Sequence, residues 1–306
     1  MRVKNAFAVR SHRFGEREKA LYHYASEFFG KDNTFLVFNS ADENLNIPSQ
    51  YNHIIFNKNK ILTSKDLFWP NDCGWKCGDY NYYALNRKIK GYDFIWLGEP
   101  DIQICSKNPS DFFEQCNNFK HDFLAAGFGR AREELFFYRT AKTLGESTPM
   151  TCIFPLTRLR VNTIPILFDI RKKISKDFIA KRKSPKDYPN DEIFISTVGT
   201  QLNLTCAPLQ KISSFNFKMF TTSRDESFLE EDIDTISGKF IVHPVLSERD
   251  YIDKKVRYFR DLVTNNKPSS HWAKNTLTKT NNPKVKKILS DEFKRSFAGF
   301  LDTQIT

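Results

Sequence analysis

Residues 92–105 read YDFIWLGEPDIQIC, and this stretch decides the fold. A nearly continuous apolar run over residues 92–97 leads directly into the tetrad GEPD, which contains Glu99 and Asp101. An apolar run with no polar alternate face is typical of a strand covered on both sides, and therefore of a mostly parallel α/β sheet. Ligands of such sheets bind beyond the carboxyl ends of the strands, so we expect Glu99 and Asp101 to face a ligand.

The residues before this strand alternate between apolar runs and helical periodicity. Short apolar runs at residues 5–11, 34–39 and 53–56 predict strands, while helical spacing predicts amphipathic helices at residues 15–29 and 79–89. The order is therefore strand, helix, strand, strand, helix, strand. We expect an α/β protein with a Rossmann-like, mostly parallel sheet flanked by helices.

Beyond residue 105 the pattern is mainly helical. The predicted elements are helices at residues 112–123, 130–144, 165–179 and 191–202, a loop with a short extended piece at 150–160, and a last strand at 239–245. Asn190 or Asp191 is the predicted N-cap of the fourth of these helices. The residues after about 245 predict a basic, helical C-terminal tail.

The carboxylates of Glu99 and Asp101 require an explanation, because buried strands rarely end in two acids without a use. A divalent cation prefers oxygen ligands, would neutralise the pair, and could in turn hold a diphosphate. The alternative interpretation is a turn in which Asp101 caps the next element. Both interpretations place the two residues where the strand leaves the sheet.

With these motifs the sequence resembles the nucleotide-sugar glycosyltransferases of the GT-A fold. In that family a β-α-β half ends in a D-x-D motif, which chelates a divalent metal on the diphosphate of the sugar nucleotide. Glu99-Pro100-Asp101 is similar to that motif, with Glu in place of the first Asp. The resemblance implies Mn²⁺ or Mg²⁺ as cofactor, a nucleotide-sugar donor bound at Glu99 and Asp101, and electrostatic stabilisation of the departing diphosphate.

The resemblance implies further site residues along the chain. Asp79, which opens a polar-aromatic helix, would contact the donor sugar, although it could equally be an N-cap. Asp191 and Glu192 would lie on the acceptor side, where one serves as general base in inverting members, although acids in a first helical turn also complement the helix dipole. His243, in KFIVHPV, would complete the metal or diphosphate site, with a purely structural histidine as the alternative.

The front of the chain offers the remaining contacts that the resemblance implies. Arg10, His12 and Arg13 lie at the end of the first strand, where enzymes of this fold hold the base and ribose of the nucleotide. Asp42 follows the second strand, where an acid often binds ribose or base. We expect a catalytic domain over residues 1–245, with a nucleotide-binding half to about 105 and an acceptor half over 106–245, and a helical basic extension over 246–306.

The formal charge of +11 is unevenly distributed. Residues 171–186 hold eight basic residues and one acid, and residues 267–306 hold eight basic residues and three acids. Such segments are either solvated faces or surfaces that attract a polyanion. Apolar residues beside the lysines of the first segment suggest peripheral contact with an anionic membrane, with packing on the protein's own core as the alternative.

Several classes of protein lose support. The chain has no run of about 18 uncharged residues, as a transmembrane helix requires, and no secretory signal pattern. The six cysteines are scattered, which favours reduced thiols in the cytoplasm. Dinucleotide-binding, P-loop, α/β-hydrolase and zincin motifs are missing.

The predicted function is transfer of a sugar from a nucleotide-sugar donor to a saccharide or lipid-linked glycan acceptor. The setting we expect is bacterial surface polysaccharide, such as capsule or lipopolysaccharide, made in the cytoplasm or at the inner face of the membrane. One alternative is a nucleotidyltransferase that uses the same acidic strand end. Another is a nucleic-acid-binding protein, disfavoured because most Phe residues sit in apolar runs and no RNP motif is present.

Overall fold

The computed structural model describes residues 3–40, 45–108, 110–145, 148–265, 267 and 269–304, with side chains described up to residue 297. The chain forms two compact units. The first comprises Met1–Ile102 and Ser110–Phe215, and the second comprises Gln103–Pro109 and Asn216–Thr306. No helix among the described residues is both long enough and apolar enough to cross a bilayer.

The elements alternate between strand and helix along most of the chain. The strands are β1 (Asn5–Ser11), β2 (Thr34–Asn39), β3 (His53–Phe56), β4 (Phe94–Gly98), β5 (Gln103–Cys105), β6 (Phe123–Arg130), β7 (Met150–Arg160), β8 (Cys206–Pro208), β9 (Phe228–Leu229), β10 (Phe240–Val242) and β11 (Val245–Leu246). The α-helices are α1 (Glu16–Phe29), α2 (Cys73–Lys76), α3 (Asp79–Lys88), α4 (Ser110–Asn117), α5 (Ile164–Ala180), α6 (Asp191–Gln201), α7 (Leu209–Ile212), α8 (Glu230–Ile233), α9 (Glu248–Thr264), α10 (Ser269–Lys279) and α11 (Pro283–Gln304).

A seven-stranded sheet in the order β3-β2-β1-β4-β7-β6-β8 forms the centre of the first unit. The first four strands in this order are parallel, β7 is antiparallel to both its neighbours, and β6 and β8 are parallel. Parallel strands β1 and β4 are direct neighbours, so their carboxyl ends lie at the same edge. The predicted α/β class with a mostly parallel sheet is confirmed.

Both faces of this sheet are covered, as the continuous apolar runs predicted. On one face Phe7 of β1 contacts the rings of Phe29 in α1 and Phe113 in α4, with centroids 5.5 and 5.6 Å away. Ala6 and Ala8, which point the opposite way, belong to a buried cluster with residues of α3, α5 and α6. The strands are therefore buried on both sides, which explains why they lack a polar face.

The structure corrects two sequence predictions between residues 123 and 160. Residues 150–160 form the full strand β7 rather than a loop, and Pro155 is accommodated by a register shift opposite Ala125 and Ala126. A proline is tolerated at such an irregularity because no ladder hydrogen bond is needed there. Residues 130–144 are not an α-helix, because Arg130 ends β6 and only Tyr138–Leu144 forms a helical segment, of the 3₁₀ type.

The second unit contains two small sheets and the C-terminal helices. Strands β5 and β10 pair antiparallel, and β9 and β11 pair in parallel. The predicted strand at 239–245 is thus divided between β10 and β11, with a cis peptide bond between His243 and Pro244. Helices α9 and α11 share a core that includes Phe259 and Phe293. The predicted C-terminal tail is helical, and the functional division of the chain into halves stays a prediction.

Candidate active site

Arg10, at the end of β1, gathers acids from two other parts of the first unit. Its guanidinium donates to Glu99, which follows β4. It also donates to Asp191, at the start of α6, with 3.3 Å between Arg10 Nη1 and Asp191 Oδ2. Arg10 is buried, which by itself would lower its pKa, but Glu99 and Asp191 raise that pKa above the ordinary value. The arginine therefore stays charged and ties the three elements together.

Glu99 and Asp101 form the acidic end of β4. The Glu99 backbone N–H donates to the Pro155 carbonyl over 2.8 Å, so the irregular part of β7 fixes the point where the chain turns. One carboxylate oxygen of Glu99 and one of Asp101 lie within 4.8 Å of one another. Two hard oxygen donors at this separation fit a shared Mg²⁺ or Mn²⁺ ion. The prediction that these acids face a donor diphosphate stays a prediction.

Asp191 is held by donors on three sides. Its Oδ2 accepts from the Gly78 N–H over 2.9 Å, and its Oδ1 accepts from the Glu192 N–H over 2.8 Å. A Cβ atom at Gly78 would lie 2.3 Å from Asp191 Oδ2 and would overlap the Arg10 guanidinium, so only glycine allows this approach. Burial raises the pKa of Asp191 to about 7, although the Arg10 charge opposes the rise.

Glu192 is the neighbouring acid of the same helical turn. The predicted cap is correct for Asn190, because its side chain accepts from the Ile193 N–H over 3.2 Å. The Asn190 amide also donates to Glu192 Oε2 over 3.2 Å. Burial, with a further contribution from the Asp191 charge, raises the pKa of Glu192 to about 8. A carboxyl in this range can take up a proton near neutral pH.

Asp79 lies behind this group and is fully buried. Its two oxygens accept from Arg171 Nε and Nη2 over 2.8 and 2.9 Å, and its Oδ2 also accepts from the Tyr83 hydroxyl over 2.9 Å. Arg171 further donates to the Pro189 carbonyl over 2.8 Å. Because Arg171 and Asp79 are both buried, their charges attract each other more strongly than they would in water. We therefore assign Asp79 to the support of the loop before Asn190 rather than to the donor sugar.

The sequence prediction did not identify Arg171 as part of this support. It was counted with the basic surface of residues 171–186, yet its side chain is completely buried. Its guanidinium lies over the rings of Phe194 and Tyr188, with centroid distances of 4.1 and 4.7 Å. The available signal was its position one helical turn from Leu167 and Ser175, on the buried stripe of α5.

His12 and Arg13 are exposed after β1, and Asp42 lies outside the described residues. His243 belongs to the second unit, where it is buried and its Nδ1 donates to the Thr221 carbonyl over 2.6 Å. Since a carbonyl only accepts, the lone pair of the neutral ring is on Nε2. The nucleotide contacts of these residues stay predictions.

Comparison with solved structures gives matches at low sequence identity. No family model matches the chain, and no curated protein matches it. Among solved structures, it is similar to mouse xyloside xylosyltransferase 1 at 10% identity and a TM-score of 0.37, over 76% of this chain and 90% of that one. It is also similar to the galactosyltransferase LgtC (10% identity, TM-score 0.36, 76% and 78% covered) and to S. aureus TarS 1–349 (13%, 0.34, 98% and 73%). At these scores the function has to be argued from the chain's own side chains.

Proposed function

We propose that the protein is a glycosyltransferase that moves a sugar from a nucleotide-sugar donor to an acceptor hydroxyl. The observation that carries the proposal is the joining of Glu99 and Asp191 by the buried Arg10. Glu99 and Asp101 are suited to a cation bound to a diphosphate, and Asp191 and Glu192 are suited to proton transfer. Arg10 links the first pair to the second. Stabilisation of the departing diphosphate and activation of the acceptor hydroxyl are therefore both supported at one edge of the sheet.

On the donor side, Glu99 and Asp101 would hold Mn²⁺ or Mg²⁺. The ion, when bound, supplies positive charge that stabilises the diphosphate as the sugar leaves. The metal role of His243 stays a prediction from the sequence. Arg10 keeps Glu99 in place and limits repulsion between the acids.

On the acceptor side, Glu192 is the proposed general base. The acceptor hydroxyl loses its proton to a Glu192 oxygen while its oxygen bonds to the anomeric carbon. The bond from that carbon to the phosphate oxygen breaks, and the nucleoside diphosphate leaves with the electron pair. Asp191 has its oxygens engaged by the Gly78 and Glu192 N–H groups, so it positions the turn and raises the pKa of Glu192. A base of this kind is what an inverting transfer requires.

The acceptor class and setting are also part of the proposal. We infer a saccharide or lipid-linked glycan acceptor, and surface polysaccharide synthesis in the cytoplasm or at the inner face of the membrane. The basic residues of α5 and of the C-terminal helices support this setting, because they would attract an anionic surface.

The test combines thermal shift with product analysis. The protein is mixed with UDP, GDP, CMP, their sugar conjugates and nucleoside triphosphates, with and without Mn²⁺. We expect one nucleoside diphosphate to stabilise the protein only with Mn²⁺, and its sugar conjugate to be consumed. Asp101→Asn should abolish both effects, and Glu114→Gln, an exposed acid on α4, is the matched control.

Other results would refute the proposal. Release of pyrophosphate from a triphosphate would identify a nucleotidyltransferase instead. Tight binding of RNA or DNA without any nucleotide response would favour the nucleic-acid-binding alternative. Full activity of Asp101→Asn would exclude the acidic end of β4 as the donor site.

A further inference from the structure

Two large aromatic side chains of the first unit are unusually exposed. Trp75 is 64% exposed and Phe136 is 75% exposed, whereas no other large apolar side chain of the described residues exceeds 48%. Exposing an indole and a phenyl ring to water is unfavourable, and adjacent exposed apolar groups commonly mark a binding surface.

The two rings are linked through Phe137. The ring centroids of Trp75 and Phe137 lie 5.3 Å apart, and those of Phe136 and Phe137 lie 4.8 Å apart. Lys76 Nζ lies 5.7 Å from the Phe137 centroid and donates to the Pro185 carbonyl over 2.6 Å. We call the three rings, Trp75, Phe136 and Phe137, the aromatic platform. These contacts fix its inner ring and leave the outer two accessible.

The platform is linked by two routes to the helical turn that carries the proposed general base. Trp75 precedes Gly78 by three residues, a separation of at most about 11 Å, and the Gly78 N–H binds Asp191 directly. From the other direction, Phe137 packs on the small cluster that contains Ile193, the residue after Glu192. Both the α2 side and the 131–144 side of the platform are thus anchored to the first turn of α6.

The chemistry of the surface favours a sugar. A pyranose ring has an apolar C–H face, which matches an aromatic face, and hydroxyls at its edge, which need polar partners. Exposed charged side chains of both signs, among them Glu133, Glu134 and Arg139, lie on the segment that carries the platform. The two acids oppose an anionic membrane, and three rings bordered by charged side chains offer less continuous apolar area than a lipid chain would cover.

We propose that the aromatic platform binds the acceptor as a neutral saccharide, stacked on Trp75 and Phe136, with the reacting hydroxyl directed toward Glu192. This inference rests on the proposed glycosyl transfer and adds the class of acceptor and the residues that select it. Phe137 holds Trp75 in position and is not itself the stacking ring.

The experiment measures saccharide binding separately from catalysis. Neutral oligosaccharides of gluco, galacto and manno configuration are titrated while tryptophan fluorescence is followed, because Trp75 is the exposed tryptophan among the described residues. We expect one of them to change the fluorescence and to serve as acceptor. Trp75→Ala and Phe136→Ala should each raise the acceptor KM about three- to tenfold, with the donor response unchanged. Trp75→Phe should restore much of the affinity, and Phe119→Ala, another exposed phenylalanine of the first unit, is the control.

The outcomes separate this inference from the proposed function. Saccharide binding that depends on Trp75, without any nucleotide response, would support the platform and refute the transferase. Donor consumption with an acceptor KM unaffected by both alanine variants would refute the platform alone. Absence of binding by every oligosaccharide, or binding of anionic vesicles lost in Trp75→Ala, would also overturn it.

Discussion

Replacing Glu192 by Gln tests whether the proposed base acts by accepting a proton, because the change removes that ability and nearly preserves the shape of the side chain. The amide is nearly isosteric with the carboxyl and can keep the contact with the Asn190 side chain. It cannot accept a proton from a hydroxyl. We expect turnover to fall about 10²- to 10⁴-fold, the usual contribution of a general base, while donor affinity changes little.

The same variant should change the pH dependence of stability. The pKa of Glu192 rises from 4.5 to about 8, chiefly because the carboxyl is buried. At about 1.4 kcal/mol per pKa unit the full shift corresponds to about 5 kcal/mol, and partial exposure of the side chain reduces this to about 3 kcal/mol. Because the folded pKa is the higher one, the wild type loses this stability as pH rises from 4.5 to about 8.

Urea unfolding at a series of pH values measures the difference. At about pH 4 the carboxyl is mostly protonated in the folded and in the unfolded state, so the wild type and Glu192→Gln should have similar free energies of unfolding. At about pH 9 the variant should be more stable by about 3 kcal/mol. Glu114→Gln, which removes an exposed acid, should follow the wild type. Unaltered turnover would refute the assignment of the base. A stability difference that does not vary with pH would refute the burial argument.

Three further perturbations address the support of the site and the basic surface. Asp79→Asn leaves the Arg171 charge buried and incompletely paired, so chemical denaturation should show a loss of about 3–5 kcal/mol; a change below about 1 kcal/mol would contradict the pairing. Gly78→Ala places a Cβ against Asp191 and Arg10, so turnover should fall at least about tenfold while circular dichroism stays native, and retained activity would show that the contact is dispensable. Changing residues 181–183 to Gln should weaken co-sedimentation with anionic liposomes. Binding of the wild type should also weaken as salt is added, because the Debye length is only about 10 Å at 0.1 M salt. Protein left in the supernatant at low salt would exclude the membrane contact.

The parallel strands could be predicted from the sequence, whereas β7 could not. Strands such as β4 are buried on both faces and therefore read as continuous apolar runs. Strand β7 is also buried, but it contains Pro155 and the fully buried Arg158. Arg158 is tolerated because it donates to the carbonyls of Cys116, Phe119 and His121, and these partners come from a distant segment.

The same limit applies to the candidate site. Glu99, Asp101, Asp191 and Glu192 could be identified singly, because acids at a strand end and at a helix start are local signals. The attachment of Glu99 and Asp191 to one arginine depends on the pairing of β1 with β4 and on the packing of α6, which are long-range features. The local sequence likewise cannot show whether a basic residue such as Arg171 is solvated or buried.

The charge balance of the site argues for its dependence on a cation. Glu99 interacts electrostatically with both Asp191 and Glu192, and it lies next to Asp101, while Arg10 is the cation that contacts two of these acids. With all four acids ionised, the site would repel a diphosphate. The raised pKa values of Asp191 and Glu192 relieve that repulsion at low pH, because both acids are then neutral. A nucleoside diphosphate should therefore bind without metal only below about pH 7, and added Mn²⁺ should extend binding to higher pH. Calorimetric titration of the diphosphate across this range measures both effects, and metal-independent binding at about pH 9 would contradict the assignment of these acids to the donor site.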